Sequence, residues 1–413
     1  MNRRAVVGWC FYDFANSPFT TIVVTFIFSR YFTKVVAEDE IEGGVLWSYA
    51  IAASSAIVAL GTPLLGAIAD HSARKKQFLL WMTFQTIVFS ALLFFVGPGD
   101  ALIALIVFVL ADVGFEAANV FYNALLPGVS TPSSIGRISG IGWGFGYVGG
   151  VIALAIALGM VKGWLPETEH LDVRSTCLLA AVWLALFAIP LFRWVPEGAT
   201  SRGPARLMDG LRRLRETART LGRYRQVVRF LIARLVYNDG LVTVFSFGAI
   251  YASSVFEMTV AETIVLGIAL NVAAALGAFT FGFVNDRIGG KRTIVITLIA
   301  LVAAALLGAL ATTRTGFWIG AIGIGLMAGA NQSSSRTLLS QMTPADKQTE
   351  LFGFFAFSGK LASVIGPIVY GTVLGATGSH RPAMLSIVAF FAVGLVLLLF
   401  VNERDGVQSA TDP

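Results

Sequence analysis

Twelve stretches of about 20 or more mainly apolar residues recur along the chain, near 8–32, 45–69, 77–97, 101–126, 136–161, 174–195, 229–255, 261–284, 292–312, 315–338, 351–376 and 380–402. A helix that crosses a bilayer needs about 20 such residues. The pattern therefore predicts an all-α integral membrane protein with twelve transmembrane helices. Composition points the same way: 56% of residues are hydrophobic and 13% charged, against roughly 25% charged in soluble domains. So few charges cannot cover a water-facing surface. The 43 glycines and 13 prolines lie mostly in apolar runs, where membrane helices tolerate them. Met1 to Arg4 lead directly into the first apolar run without a small-residue cleavage pattern, so that run is expected to be a retained helix.

The connections are short except for one. It divides the chain into an expected six-helix bundle at 1–195, a linker at 196–228 and a second six-helix bundle at 229–413. In the linker, Leu207, Leu211, Leu214 and Leu221 recur at helical spacing among Arg206, Arg212, Arg213, Arg215 and Arg219. Such a basic amphipathic helix is expected to lie on anionic lipid or simply to join the bundles. If both termini are cytoplasmic, 22 of the 30 Lys and Arg residues fall on that side and 5 on the other. This asymmetry is what retention of basic loops produces. The net charge of +6 is thus read as topology, and no aromatic–basic interleaving argues for nucleic acid.

An internal repeat then sets the architecture. The second and third segments are joined by Gly66-Ala-Ile-Ala-Asp70-His-Ser-Ala-Arg74-Lys75-Lys76. The eighth and ninth are joined by Gly282-Phe-Val-Asn-Asp286-Arg287-Ile-Gly-Gly-Lys291-Arg292. Both read Gly-x-x-x-Asp, a turn and a basic cluster, and the two aspartates are 216 residues apart. Glycine permits close helix approach, the carboxylate can accept a neighbouring helix's amides, and the basic cluster fixes the loop's side. Gly66, Asp70, Arg74, Gly282, Asp286 and Arg287 are accordingly candidates for a conformational gate. Two halves repeated in parallel resemble the major facilitator superfamily, whose signature between helices 2 and 3 has this form.

Ionisable groups within hydrocarbon are costly and tend to face a functional cavity. Asp13 and Asn16 share a face of the first segment, with Tyr12 next to Asp13, just before Pro18. The fourth carries a stripe of Asp112, Glu116, Asn119 and Asn123, with Tyr122 beside it; the seventh carries Arg234, Tyr237, Asn238 and Asp239. Gln332 and Arg336 lie on the tenth, and Lys360 sits deep in the eleventh, ahead of Gly366-Pro367. Segments 1, 4, 7 and 10 are those that the superfamily resemblance places around a central cavity. These residues are the candidate substrate and proton site. Its mixed charge suits a zwitterion or a solute with an anionic group; the alternative is that the charges neutralise one another as structural pairs. The glycine-rich fifth segment, Gly140 to Gly150, is expected to serve close helix packing.

Tyr12-Asp13-Phe-Ala-Asn16-Ser17-Pro18, Val120-Phe-Tyr122-Asn123-Ala-Leu-Leu-Pro127, Ala233-Arg234-Leu-Val-Tyr237-Asn238-Asp239-Gly240 and Gly359-Lys360 with Gly366-Pro367 resemble one family in particular. It is that of the vacuole effluxer, the autophagy-related amino-acid permeases and their bacterial relatives. The resemblance implies a gradient-driven permease, with proton-coupled movement of a small polar or zwitterionic solute such as an amino acid. The chain has no long extensions or insertions, and Gln332-Ser-Ser-Ser-Arg336 departs from the run expected there. A multi-pass bacterial inner-membrane protein with cytoplasmic termini, acting as a monomer, is the expectation. A lipid or lysolipid flippase and a non-transporting sensor are the alternatives.

Enzymatic readings have little support. Gly289-Gly290-Lys291-Arg292 is not a Walker loop, and the chain has neither an H-E-x-x-H site nor a nucleophile elbow. Cys10 and Cys177 give no redox or zinc spacing, and His71, His170 and His380 fall in expected loops. No metal or cofactor is expected, an ion gradient being the driving force.

Overall fold

A computed structural model describes residues 2–37, 40–72, 74–166, 168–197, 224–258 and 260–411, and among them every regular element is helical. The first half comprises α1 (Arg3–Val36), α2 (Glu40–Ser72), α3 (Lys75–Phe95), α4 (Ala101–Ala124), α5 (Ile135–Gly159) and α6 (Leu171–Trp194). The second comprises α7 (Arg225–Phe256), α8 (Val260–Ile288), α9 (Gly290–Leu310), α10 (Arg314–Gln341), α11 (Gln348–Thr377) and α12 (His380–Leu399). The body of each expected apolar segment falls on one of these helices, with ends that differ by a few residues. Residues 198–223, most of the segment expected to form the basic linker helix, lie outside the described residues.

Eleven of the twelve are long and apolar enough to cross a membrane. The other, α10, is 28 residues long but carries Asn331, Gln332, Ser333 to Ser335 and Arg336 in its second half. It packs on α8, α9 and α5, so most of those polar side chains are buried by protein and do not meet lipid. On the outside, Leu60, Leu102, Trp164 and Ile368 are each more than 60% exposed. An apolar exterior over a partly polar interior is the arrangement that a bilayer stabilises.

Helix packing obeys the repeat. In the first half α1 packs on α5 and α6, α2 on α4, and α3 on α4 and α6. In the second half α7 packs on α11 and α12, α8 on α10, and α9 on α10 and α12. The halves meet through two equivalent crossings, α2 with α11 and α8 with α5. Small residues bring the second crossing together. A Cβ at Gly140 of α5 would collide with the Ala278 carbonyl of α8, while Gly146 and Gly149, on the other face, lie against Asp13, Phe14 and Ser17 of α1.

Two local departures from regular helix have named causes. Pro18 lacks the N–H that would bond Phe14, and the Phe14 carbonyl accepts the Trp183 indole N–H at 3.0 Å instead. Beyond Pro18 the helix widens over Phe19–Phe26, closing with Ile27 N–H on the Ile22 carbonyl. At the far end of the chain the expected segment 380–402 divides. The helix stops at Leu399, and Asn402 caps a short separate helix, α13 (Glu403–Thr411), through the Arg404 amide at 3.1 Å.

Candidate functional site

Three layers of polar contacts run from the end of the bundle that carries both chain termini toward its middle. The outermost is built on the repeated Gly-x-x-x-Asp. Asp70, at the end of α2, caps the first turn of α11, taking the Thr349 hydroxyl and the Glu350 amide, each at 2.9 Å. Asp286, at the end of α8, caps α5 through the Gly136 amide at 2.7 Å and the Arg137 amide at 3.1 Å. Each carboxylate therefore satisfies orphan N–H groups at the positive end of a helix in the opposite half. The glycine one turn earlier makes room: Gly66 lies against the Thr349 carbonyl and Gly282 against that of Gly136.

The cation on Asp70 is Lys75 at 2.8 Å, whereas the candidates Arg74 and Arg287 are both exposed. A second equivalent pair was not anticipated. Glu197, after α6, accepts the Lys76 amide at the start of α3, and Glu403, after α12, accepts the Gly290 and Lys291 amides at the start of α9. Lys76 and Lys291 complete the match by donating to the Val195 and Leu399 carbonyls. Comparing the ends of the two halves, and not only the 2–3 and 8–9 loops, would have found this relationship in the sequence.

The next layer is centred on Arg336. Its guanidinium leaves α10 and enters the first half, where Nη1 donates to Asp13 at 3.0 Å and Asn123 at 3.2 Å. Nε and Nη2 donate to the Ser139 hydroxyl and carbonyl at 2.9 and 2.6 Å. Trp9, Tyr122 and Trp143 rings surround it at 4.7, 5.7 and 5.5 Å. Tyr122 also donates to Asp13 at 2.9 Å, and Tyr12 stacks on Tyr122 and bonds Thr83. Asn16 and Asn119 bond each other at 2.9 Å. Arg336 lies five residues from the end of its helix, or about 8 Å along the axis. Asp13, Tyr122, Asn123 and Arg336 thus close the termini-bearing end and do not sit at the midplane.

The innermost contact joining the halves is between α4 and α11. Lys360 Nζ lies 2.7 Å from Glu116 Oε1, and the two side chains remain 21% and 23% exposed. Lys360 is about 18 Å into its helix, which puts the pair near mid-membrane. Asp112, one turn from Glu116, accepts the Ser54 hydroxyl of α2.

The remaining candidates lie within the second half. Gln332 donates to Asn238 at 2.8 Å, and Tyr237 bonds Ser335 at 2.8 Å, tying α7 to α10. Arg234 is buried against α11, donating Nη1 to the Phe355 carbonyl at 3.0 Å and the Ser358 hydroxyl at 2.9 Å over the Phe355 ring. Among the described residues its Nε has no hydrogen-bond partner. Asp239 is also buried and accepts the Gly366 amide, 2.9 Å from each oxygen. The candidate charges are therefore not one cluster. They form a closing layer, a mid-membrane pair and two buried groups on α7.

Among solved structures the fold is similar to that of the human organic anion transporter MFSD10 (TM-score 0.76, 14% identity, 96% of this chain and 99% of that one). It is likewise similar to the major facilitator superfamily transporter FucP in its outward conformation (TM-score 0.75, 16% identity, 97% and 98%). In sequence, the uncharacterized MFS-type transporter YxiO of Bacillus subtilis is 28% identical over 405 residues, covering 96% of this chain and 94% of that protein. Autophagy-related protein 22-1 of Penicillium rubens is 27% identical over 303 residues, 66% of this chain but only 50% of that longer protein. The family described as vacuole effluxer Atg22 like matches residues 36–411. With twelve helices in two facilitator-type halves and that match over most of its length, the chain is a multi-pass transporter-type membrane protein that belongs to the Atg22-like vacuole effluxer family.

Proposed function

We propose that the protein is a proton-driven carrier that moves a small polar or zwitterionic solute, amino acids first among them, by alternating access. The observation that carries this reading is the Glu116–Lys360 pair. It is the deepest of the ion pairs and hydrogen bonds described between the halves, and about a fifth of each side chain is exposed. A zwitterion offers an ammonium to Glu116 and a carboxylate to Lys360, so it can take the place of each partner for the other. Binding would then exchange one ion pair for two and loosen the hold between α4 and α11. Arg234, buried with Nε unpartnered, supports a solute that carries an anionic group.

The carboxylate-capped crossings give the alternating step a physical form. Asp70 and Asp286 hold the termini-bearing end shut through backbone amides of the opposite half, and those bonds must break when that end opens. The loop charge asymmetry favours a cytoplasmic location for this end, in the inner membrane of a bacterium. No nucleic acid, metal or cofactor enters this reading, and the protein is taken to act as a monomer, with anionic lipid at the basic linker.

A small apolar cavity within the second half, lined by Val244, Leu266, Leu270, Phe317 and Ile324 among others, favours a second reading. In it the solute has an acyl chain, as a lysolipid does. Purified protein in liposomes, tested by counterflow of radiolabelled leucine, glutamine, lysine and glutamate and of a fluorescent lysolipid, separates the two. Amino-acid exchange that vanishes in Lys360→Ala is expected. Lysolipid movement without amino-acid exchange would replace the first reading with the second.

A further inference from the structure

We infer that Asp239 is the proton-binding carboxylate of the carrier, and that its proton controls a bend in α11 at Gly366-Pro367. The inference deepens the proton-driven reading and rests on it. The other membrane-embedded acids of the candidate set have partners suited to an ionised carboxylate. Asp13 holds Arg336 and the Tyr122 hydroxyl. Glu116 holds Lys360, and Asp112, one turn away, takes the Ser54 hydroxyl and shares the field of the Lys360 ammonium.

Among the described residues Asp239 has no such support. It is 1% exposed, and both its oxygens share the single N–H of Gly366. The charged and titratable groups on the surrounding helices are engaged elsewhere. On its own helix, Arg234 bonds Phe355 and Ser358, and Tyr237 bonds Ser335. On α11, Lys360 pairs with Glu116; on α10, Arg336 pairs with Asp13. α12 presents Phe390 and Phe391 beside Gly240, the next residue along. A buried carboxylate without a cation is strongly disfavoured as an anion, and a proton is the counter-charge within reach.

The contact also sits where proton occupancy can be transmitted. Gly366 precedes Pro367, which cannot donate to the helix ladder and marks a site of easy bending. A Cβ at Gly366 would meet the Asp239 carboxylate at 2.7 Å and collide with the Thr243 hydroxyl, so α11 and α7 touch there with no slack. An ionised Asp239 grips the Gly366 amide with a charge-assisted hydrogen bond. Taking up one proton turns it into a neutral acid that holds the amide more weakly, and no other bond is exchanged. Lys360 lies six residues earlier on the same helix. Flexing at Gly366-Pro367 is thereby linked to the pairing of Lys360 with Glu116.

Infrared difference spectroscopy of the full-length protein in nanodiscs, titrated across the neutral pH range without solute, tests the site directly. Wild type should show a protonated-carboxyl C=O band that Asp239→Asn removes and that Asp112→Asn and Glu116→Gln leave in place. Asp239→Glu should keep the band at a shifted frequency, which covers the case that the Asn variant fails to fold. A band that survives in Asp239→Asn, one unmoved in Asp239→Glu, or no band in wild type would overturn the assignment. In liposomes, a one-unit pH gradient coupled to one proton sustains about a tenfold solute gradient. For the amino acids named above, Asp239→Asn should reduce that ratio to about one, and retention of it would also overturn the inference. Absence of any amino-acid counterflow by wild type would instead sink the proposed function, with the infrared result still standing.

Discussion

Lys360 on α11 and Glu116 on α4 reach across the two halves of the protein to pair at 2.7 Å, with about a fifth of each side chain exposed. In the interior of a protein such a pair resists separation, since removing one partner strands a charge at a cost of about 3–5 kcal/mol where burial is complete. The partial exposure here lowers that figure. Lys360→Ala and Glu116→Gln are each expected to reduce transport more than tenfold while the protein remains folded in detergent. The reversed pair Glu116→Lys with Lys360→Glu should recover part of the activity, which a purely local packing defect would not. Counterflow in liposomes, read beside size-exclusion profiles, checks this.

The capping aspartates make a different prediction, about populations. Loss of a cap costs about 0.5–2 kcal/mol, so Asp70→Ala or Asp286→Ala should shift the balance toward an open termini-bearing end by about two- to thirtyfold. Asp70→Ala has the further effect of releasing Lys75. Spin labels on opposite halves at that end, measured by pulsed dipolar spectroscopy, should show a longer distance in both variants. An unchanged distance would mean that these carboxylates do not hold the end shut.

Much of the fold was legible because membrane helices declare themselves by length and apolarity, and the halves by a repeated motif. The role of Asp70 and Asp286 followed from chemistry, since a carboxylate near a helix N-terminus has amides to accept. Partner identity was less accessible. Arg74 and Arg287 stood in the motif, but Lys75 reaches Asp70 because it opens α3 and can turn back. The aromatic enclosure of Arg336 by Trp9, Tyr122 and Trp143 draws on three helices far apart in sequence. A polar stripe on one helix shows which residues avoid lipid but not whom they meet. Hence Asp13 and Asp239, alike in sequence context, have unlike surroundings: one is bound to an arginine, the other to a single amide.

Close packing of α8 on α10 yields a stability prediction. Gly277 and Gly329 lie where a Cβ would run into the Leu326 and Ala274 carbonyls. Backbone atoms cannot yield as a side-chain tip can, and overpacking of this kind costs about 1–3 kcal/mol. Gly329→Ala should therefore lower the thermal midpoint of the purified protein by several degrees, whereas Gly371→Ala, within a helix and with open space around it, should not lower it. Equal midpoints for the two variants would contradict the packing described.

Arg336 carries the last prediction, and substitution by lysine is the informative change. The guanidinium uses Nε, Nη1 and Nη2 on four acceptors while its plane lies among three aromatic rings. An ammonium has no planar fork and cannot serve Asp13, Asn123 and both Ser139 oxygens together. Arg336→Lys keeps the charge on Asp13, so Asp13 is not left unpaired, but it abandons the Ser139 contacts that tie α10 to α5. The expected result is a folded protein whose termini-bearing end opens more readily, with cysteine probes placed there labelled several-fold faster. Arg336→Ala should do worse, stranding Asp13 in a layer where its side chain is 13% exposed. The companion change Asp13→Asn should then rescue folding of Arg336→Ala, because the double variant leaves no unpaired charge. If Arg336→Lys labels at the wild-type rate, the charge alone suffices and the fork and rings contribute nothing to closure.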